Sequence, residues 1–69
     1  MRISARNILQ GKVLEVRKGQ TTAHVRIELP GGGIVTASIT NESVDDLGLK
    51  VGDQAYAVIK ASDVMVGKD

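Results

Sequence analysis

The chain has 69 residues, near the lower limit for a domain that folds without disulfides, a metal or oligomerisation. It contains no cysteine and one histidine, which excludes disulfide bonds, thiolate zinc sites and a thiol nucleophile. Nine basic and eight acidic residues leave a net charge of +1, without the basic excess typical of a nucleic-acid-binding surface.

The first half of the chain is predicted to form three strands. Residues 9–17 are rich in branched side chains around Gly11, and a glycine inside a strand indicates a bulge or a bend. Residues 22–29 alternate between apolar and polar side chains, the pattern of a strand with one buried face. Residues 30–33 (Pro-Gly-Gly-Gly) are typical of a hairpin turn, and the branched run 34–39 gives the third strand.

The second half opens with the one helical candidate. Thr40 or Asn41 can cap its N-terminus, acidic residues follow at the positive end of its dipole, and Gly48 can end it in a left-handed conformation. Residues 49–53 are expected to return the chain to the sheet. Residues 54–60 and 64–66 are predicted to form the fourth and fifth strands.

This order of elements predicts an all-β fold: a small, OB-fold-like Greek-key barrel of five strands with one short helix between strands 3 and 4. An SH3-like barrel is the competing interpretation, although it places a helix after the third strand less naturally. We expect residues 1–69 to form a single domain. Since its apolar residues are mainly Val, Ile, Ala and Leu and only one aromatic is present, we expect the thin core to be supplemented by association between copies.

Several features that resemble functional sites have simpler interpretations. His24 lies on the polar face of a predicted strand without a second His or Cys to share a metal. The glycines at 31–33 match neither a phosphate-binding loop nor a dinucleotide fingerprint. Asp45 and Asp46 suit the helix dipole, and Tyr56 alone cannot provide the stacking surface that single-stranded nucleic acid needs. These residues indicate neither an enzyme nor a nucleic-acid-binding protein.

Three polar stretches, residues 4–7, 39–43 and 60–62, combine hydroxyl groups with a cation or with the predicted start of the helix. Arg6 presents a forked set of donors and Lys60 a point charge. Hydroxyl donors come from Ser4, Thr40, Ser43 and Ser62. Backbone amides at residues 41–43 would add donors that point at an anion. A set that offers only positive charge and hydrogen-bond donors suits a small dianion.

Three motifs, in this order, resemble those of the molbindins, the small Mop-domain proteins that bind molybdate and tungstate: Ser4-Ala5-Arg6-Asn7 followed by Gly11-Lys12-Val13, then Ile39-Thr40-Asn41-Glu42-Ser43, then residues 55–62 with Val64-Met65. The resemblance implies a homo-oligomer, a hexamer built as a trimer of dimers, with oxyanion sites at subunit interfaces and a role in molybdenum storage and homeostasis. It points to these oxyanion contacts: Ser4, Ala5 and Arg6 of one subunit, with Thr40, Ser43, Lys60, Ala61 and Ser62 of others. It implies no direct side-chain ligand to the metal and no organic cofactor.

The expected selectivity follows from the chemistry of the anions. Molybdate and tungstate are tetrahedral dianions that accept hydrogen bonds on every oxygen and donate none. Phosphate is partly protonated at neutral pH, and in a pocket without a carboxylate its proton would stay unpaired, at about 1 to 3 kcal/mol. Sulfate has shorter bonds, so a rigid pocket sized for molybdate would leave its hydrogen bonds too long. Tungstate is too similar in size to be rejected.

Two other functions remain open from the sequence: an anion-sensing regulatory module that acts on a separate partner, and, more remotely, a nucleic-acid-binding OB module. The sequence shows neither a secretory signal nor a segment long enough to span a bilayer, which predicts a cytoplasmic protein.

Overall fold

The computed structural model describes residues 1–69 and contains four strands, one α-helix and one turn of 3₁₀ helix. The strands are β1 (Asn7–Lys18), β2 (Thr22–Glu28), β3 (Ile34–Thr40) and β4 (Gln54–Ile59). The helix α1 (Asn41–Leu47) lies between β3 and β4, as predicted, and the 3₁₀ turn (Ala61–Asp63) follows β4.

The strands form one antiparallel sheet in the order β3-β2-β1-β4. The long strand β1 has two partners: residues 7–12 pair with β4, and residues 12–18 pair with β2. This change of partner within one strand curls the sheet, as in the OB fold that the element order predicts. The predicted turn between β2 and β3 is confirmed by a hydrogen bond from the Leu29 amide to the Gly33 carbonyl (2.7 Å).

Gly11 lies where β1 passes close to the end of β2. A Cβ atom at this position would meet the Glu28 carbonyl oxygen at 2.5 Å and Ile27 Cγ2 at 2.7 Å, so only glycine fits without a shift. The bulge itself is at Leu14, where the register with β2 slips by one residue. The sequence thus indicated an irregular β1, but the irregularity lies beyond the glycine.

The core is small because only one face of the sheet and one residue of the helix contribute to it. The predicted alternation in β2 is confirmed, since Ala23, Val25 and Ile27 are buried and the residues between them are exposed. Six of the 69 residues are buried: Val13, Ala23, Val25, Ile27, Val44 and Ala57. Thirteen large apolar side chains, by contrast, remain exposed in the single chain.

Both predicted ends of α1 are confirmed. The Thr40 hydroxyl accepts a hydrogen bond from the Ser43 amide (3.0 Å), which makes Thr40 the N-cap. Gly48 ends the helix in the left-handed region, with φ 62° and ψ 37°. Val44 is the buried residue of the helix and anchors it to the sheet.

The predicted fifth strand at residues 64–66 is wrong for this chain, because pairing on this side of the sheet ends with β4. The 3₁₀ turn redirects the backbone, with hydrogen bonds from Asp63 N to Lys60 O (2.9 Å) and from Val64 N to Ala61 O (3.2 Å). Met65 and Val66 are then 93% and 94% exposed. The branched residues that suggested a strand have no neighbouring strand with which to pair.

We expect Gly11→Ala to lower the free energy of unfolding by about 1 to 3 kcal/mol, because the added methyl group must displace the backbone of β2. Urea denaturation at a fixed protein concentration measures this loss. Gly67→Ala is the matched control, because nothing lies within 4 Å of the Cβ position at Gly67. Equal stabilities for the two variants would contradict the close approach of β1 to β2.

Candidate functional site

A shallow cleft, here named the terminal cleft, lies where the N-terminal segment passes the end of β4. Its volume is about 630 Å³. Nine residues line it: Ile3, Ser4, Ala5, Arg6, Val58, Lys60, Ala61, Ser62 and Asp63. Six of the eight predicted oxyanion contacts are therefore brought together in one chain: Ser4, Ala5, Arg6, Lys60, Ala61 and Ser62.

Strand register explains why two segments far apart in sequence meet here. Asn7, the first residue of β1, pairs with Ile59, the last residue of β4, and the Asn7 side-chain amide donates to the Ile59 carbonyl (3.2 Å). The residues just before β1 and just after β4 therefore leave the same end of the sheet. Extending the antiparallel register by one step sets Arg6 opposite Lys60.

The polar side chains of the terminal cleft have no partners within the chain. The one ion pair of the structure joins Lys18 and Asp45 (2.5 Å), so the charges of Arg6 and Lys60 are both free. The side chains of Ser4 and Ser62 also form no hydrogen bond in the chain and are exposed. Two cations and two hydroxyls thus remain available to an acceptor that enters the cleft.

The other two predicted contacts lie elsewhere. Thr40 ends β3 and pairs with Thr22, which is separated from the end of β1 at Lys18 by only a short turn. The terminal cleft adjoins the opposite end of β1, at Asn7. A strand of 12 residues covers roughly 36 to 40 Å when fully extended, and curvature shortens this only in part. One chain therefore does not bring the hydroxyls of Thr40 and Ser43 to the cleft.

Hydrogen bonds within the chain already occupy most donors at the start of α1. The Thr40 hydroxyl donates to Ser43 Oγ (2.8 Å) and also accepts from the Ser43 amide. The Asn41 amide donates to the Thr21 carbonyl (2.9 Å). The backbone donors that the sequence suggested at residues 41 and 43 are thus satisfied internally. The Ser43 hydroxyl proton remains free, because its oxygen accepts from Thr40.

Asp63 is the charged residue of the cleft that sequence reasoning missed. The selectivity expected from the sequence assumed a pocket without a carboxylate, whereas Asp63 lines the same cleft as Arg6 and Lys60. Its position three residues after Lys60 is a signal only if a tight turn is foreseen there that leaves both residues beside the cleft. The sequence suggested a plain turn between strands.

A second polar cleft is lined by Arg17, Lys18, Gly19, Thr22 and His24, but its cations have partners in the chain. Lys18 pairs with Asp45, and a guanidinium nitrogen of Arg17 lies 3.3 Å from Nδ1 of the exposed His24. Nowhere do three His, Cys, Asp or Glu side chains come together to hold a metal ion. None of the helices has the length and apolar character needed to cross a membrane.

Comparison with known proteins agrees with this fold. Residues 3–66 match the TOBE domain. The chain is 53% identical over 66 residues to molybdenum-pterin-binding protein 3 of Clostridium pasteurianum, covering 96% of this chain and 97% of that protein. It matches the structure of a molybdate-binding protein from Sporomusa ovata with a TM-score of 0.92 and 40% identity, covering 99% and 100% of the two chains.

A further solved structure contains this fold within a longer chain. It is the cytoplasmic molybdate-binding protein ModG with molybdate bound, which matches with a TM-score of 0.90 and 49% identity over 94% of this chain and 46% of that one. The fold, the near full-length coverage and these identities agree with the three sequence motifs. The chain therefore belongs to the molbindin (Mop) family of small TOBE-domain proteins, a family of binding proteins and not of enzymes.

Proposed function

We propose that this protein, as a single Mop domain of residues 1–69, binds molybdate or tungstate at sites completed between copies of the chain and stores molybdenum in the cytoplasm. One observation carries the proposal: the terminal cleft gathers two cations and two hydroxyls that have no partner in the chain. The solved relatives named above, which bind molybdate, share this fold closely.

The donors of the cleft suit an ion that only accepts hydrogen bonds. The Arg6 guanidinium can give two parallel hydrogen bonds to neighbouring oxygens of one tetrahedral anion, and it keeps its charge when water is removed. Lys60 adds a second positive charge, and the hydroxyls of Ser4 and Ser62 can turn their protons towards the remaining oxygens. Because Asp63 supplies an acceptor, rejection of phosphate must depend mainly on the shorter bonds of that ion.

The single chain supplies an incomplete site. The terminal cleft is open to solvent and far larger than one tetrahedral oxyanion, so further groups must close it. Its two large apolar lining residues, Ile3 and Val58, are 48% and 41% exposed. A second copy that covers this surface could bring the free Ser43 hydroxyl at the start of its α1 to the anion. The hexamer, as a trimer of dimers, is the assembly that membership of the molbindin family suggests.

Association would also supply stability that the core lacks. Six buried residues and thirteen exposed large apolar side chains form an unusual balance, even for a small domain. Burial of the exposed side chains between copies would add hydrophobic stabilisation of roughly 25 cal/mol per Å² of apolar surface. An anion bound between copies then stabilises the assembly by mass action.

Molybdate and tungstate should each raise the melting temperature on the order of 10 °C at about 100 times the dissociation constant, because binding to the folded state alone then contributes about 2.7 kcal/mol. Differential scanning fluorimetry with each anion at matched ionic strength measures this shift. Sulfate and phosphate serve as the controls. Equal shifts with all four ions would reduce the cleft to a general basic surface.

Arg6→Ala is expected to weaken molybdate binding by about 2 to 5 kcal/mol, since it removes a charged donor pair that the assembly desolvates. Arg6→Lys should lose part of the affinity, because a point charge cannot form the paired hydrogen bonds. Isothermal titration measures the affinities, with circular dichroism to check folding. Arg2→Ala is the control, because Arg2 is exposed and does not line the cleft. A folded Arg6→Ala protein with wild-type affinity would show that the anion binds elsewhere.

The protein should be a closed homo-oligomer in solution, with the molar mass of a hexamer by light scattering at micromolar concentration. The expected cause is the apolar surface left exposed by the single chain. A monodisperse monomer in the presence of molybdate would rule out every site shared between copies.

A further inference from the structure

Asp63 and Lys60 lie at the two ends of the turn that follows β4. The Asp63 amide donates to the Lys60 carbonyl (2.9 Å), which closes the turn. Lys60 is the extended N-cap, with φ −62° and ψ 134°, and Asp63 is the last residue of the 3₁₀ helix. Both residues line the terminal cleft, together with Arg6.

The Asp63 carboxylate has no structural task in the chain. Its side chain takes part in no hydrogen bond and no ion pair. The 3₁₀ turn is held by backbone hydrogen bonds and has no side-chain cap. Asp63 therefore acts on the cleft through its charge, and leaves the two cations and one carboxylate with a net charge of +1.

We propose that Asp63 is the built-in counter-ion of the terminal cleft: it offsets Arg6 and Lys60 when the cleft is empty and lowers the affinity for the dianion that replaces it. This inference deepens the proposed function and rests on it. Without Asp63, nothing in the cleft would offset the repulsion between Arg6 and Lys60 in the empty protein. With the anion bound, the carboxylate faces a dianion that carries no proton to donate to it. Asp63 thus favours both an unliganded protein that remains stable and an anion that can leave.

Coulomb's law gives the size of the effect. A unit charge facing a dianion across roughly 7 to 10 Å of water changes the binding constant about four- to eightfold. Screening at physiological salt reduces this factor, and about 1 M salt reduces it further. The value for open water is a lower limit, because the assembly removes water from the cleft and so strengthens the interaction.

Asp63→Asn tests the proposal, with Asp46→Asn as the matched control. Both substitutions remove one negative charge, but Asp46 is exposed on α1 and does not line the cleft. Molybdate affinity is measured by isothermal titration at low and at high salt, and the melting temperature of the anion-free protein is measured under the same conditions. Asp63→Glu, which keeps the charge, should behave like the wild type in both measurements.

The expected result is that Asp63→Asn binds molybdate at least about fourfold more tightly at low salt, loses part of this gain at about 1 M salt, and melts at a lower temperature than Asp46→Asn when anion-free at low salt. Sulfate should gain as much as molybdate. Phosphate should gain less, because its proton loses a charged acceptor. The gain in affinity of Asp63→Asn then depends on whether the ion carries a proton and not on the size of the ion.

Two results would overturn the proposal: affinity and anion-free melting equal to those of Asp46→Asn, or weaker molybdate binding by Asp63→Asn. The second would make Asp63 a positioning residue for the donors. A wild-type protein that binds no molybdate would refute the proposed function instead. In that case the anion-free melting of Asp63→Asn still decides the counter-ion role, since that measurement requires no ligand.

Discussion

The pairing of Asn7 with Ile59 determines most of what this small chain can do. It joins the start of β1 to the end of β4, and so places the flanking segments with Arg6 and Lys60 side by side. β1 then continues through Gly11 and pairs with β2, and β2 pairs with β3. Because α1 follows β3, the start of the helix lies at the opposite end of β1 from the terminal cleft. The start of β1 therefore positions the cations of the candidate site, and the length of β1 separates them from the hydroxyl of Ser43.

The proposed site and the stability of the protein are linked by the same exposed surface. A chain of this length buries a core of only six residues, because short chains bury a small fraction of their surface. The apolar side chains beside the terminal cleft therefore remain exposed to water. If a second copy covers them, it also removes water from Arg6 and Lys60, which strengthens their interaction with an anion. Binding and assembly would then support each other, while Asp63 limits how tightly the anion is held.

Much of the fold could be predicted from the sequence, because short-range rules apply to its elements. The strict alternation around Val25 predicted β2, and the cap at Thr40 and the glycine at 48 predicted both ends of α1. The bulge at Leu14 could not be predicted, since it depends on the register with β2 and not on any special residue. The fifth strand failed because branched residues indicate only a capacity to pair, and residues 64–66 pair with no strand of this chain.

The sequence indicated which types of residue form the candidate site, but it did not show which of them lie together in one chain. Arg6 and Lys60 could be selected as unpaired cations near hydroxyls, but only the β1 and β4 register shows that they share one cleft. Asp63 escaped prediction because its orientation depends on a single 3₁₀ turn. The internal use of the Thr40 hydroxyl likewise depends on a capping geometry that leaves Ser43 as the free donor.

The central claim is that the cleft of one copy and the start of α1 of another hold one anion, and a mixing experiment tests it most directly. One variant carries Arg6→Ala with Lys60→Ala, and the other carries Ser43→Ala; if Ser43→Ala alone retains binding, Thr40→Val is added, which removes the second hydroxyl. The two are refolded separately and as an equal mixture, and bound molybdenum is counted by elemental mass spectrometry. If the groups come from different copies, binding returns in the mixture at about a quarter of the wild-type sites, because random assembly pairs an intact cleft with an intact helix start that often. A mixture that binds no more molybdenum than the average of the separate variants would contradict a site shared between copies.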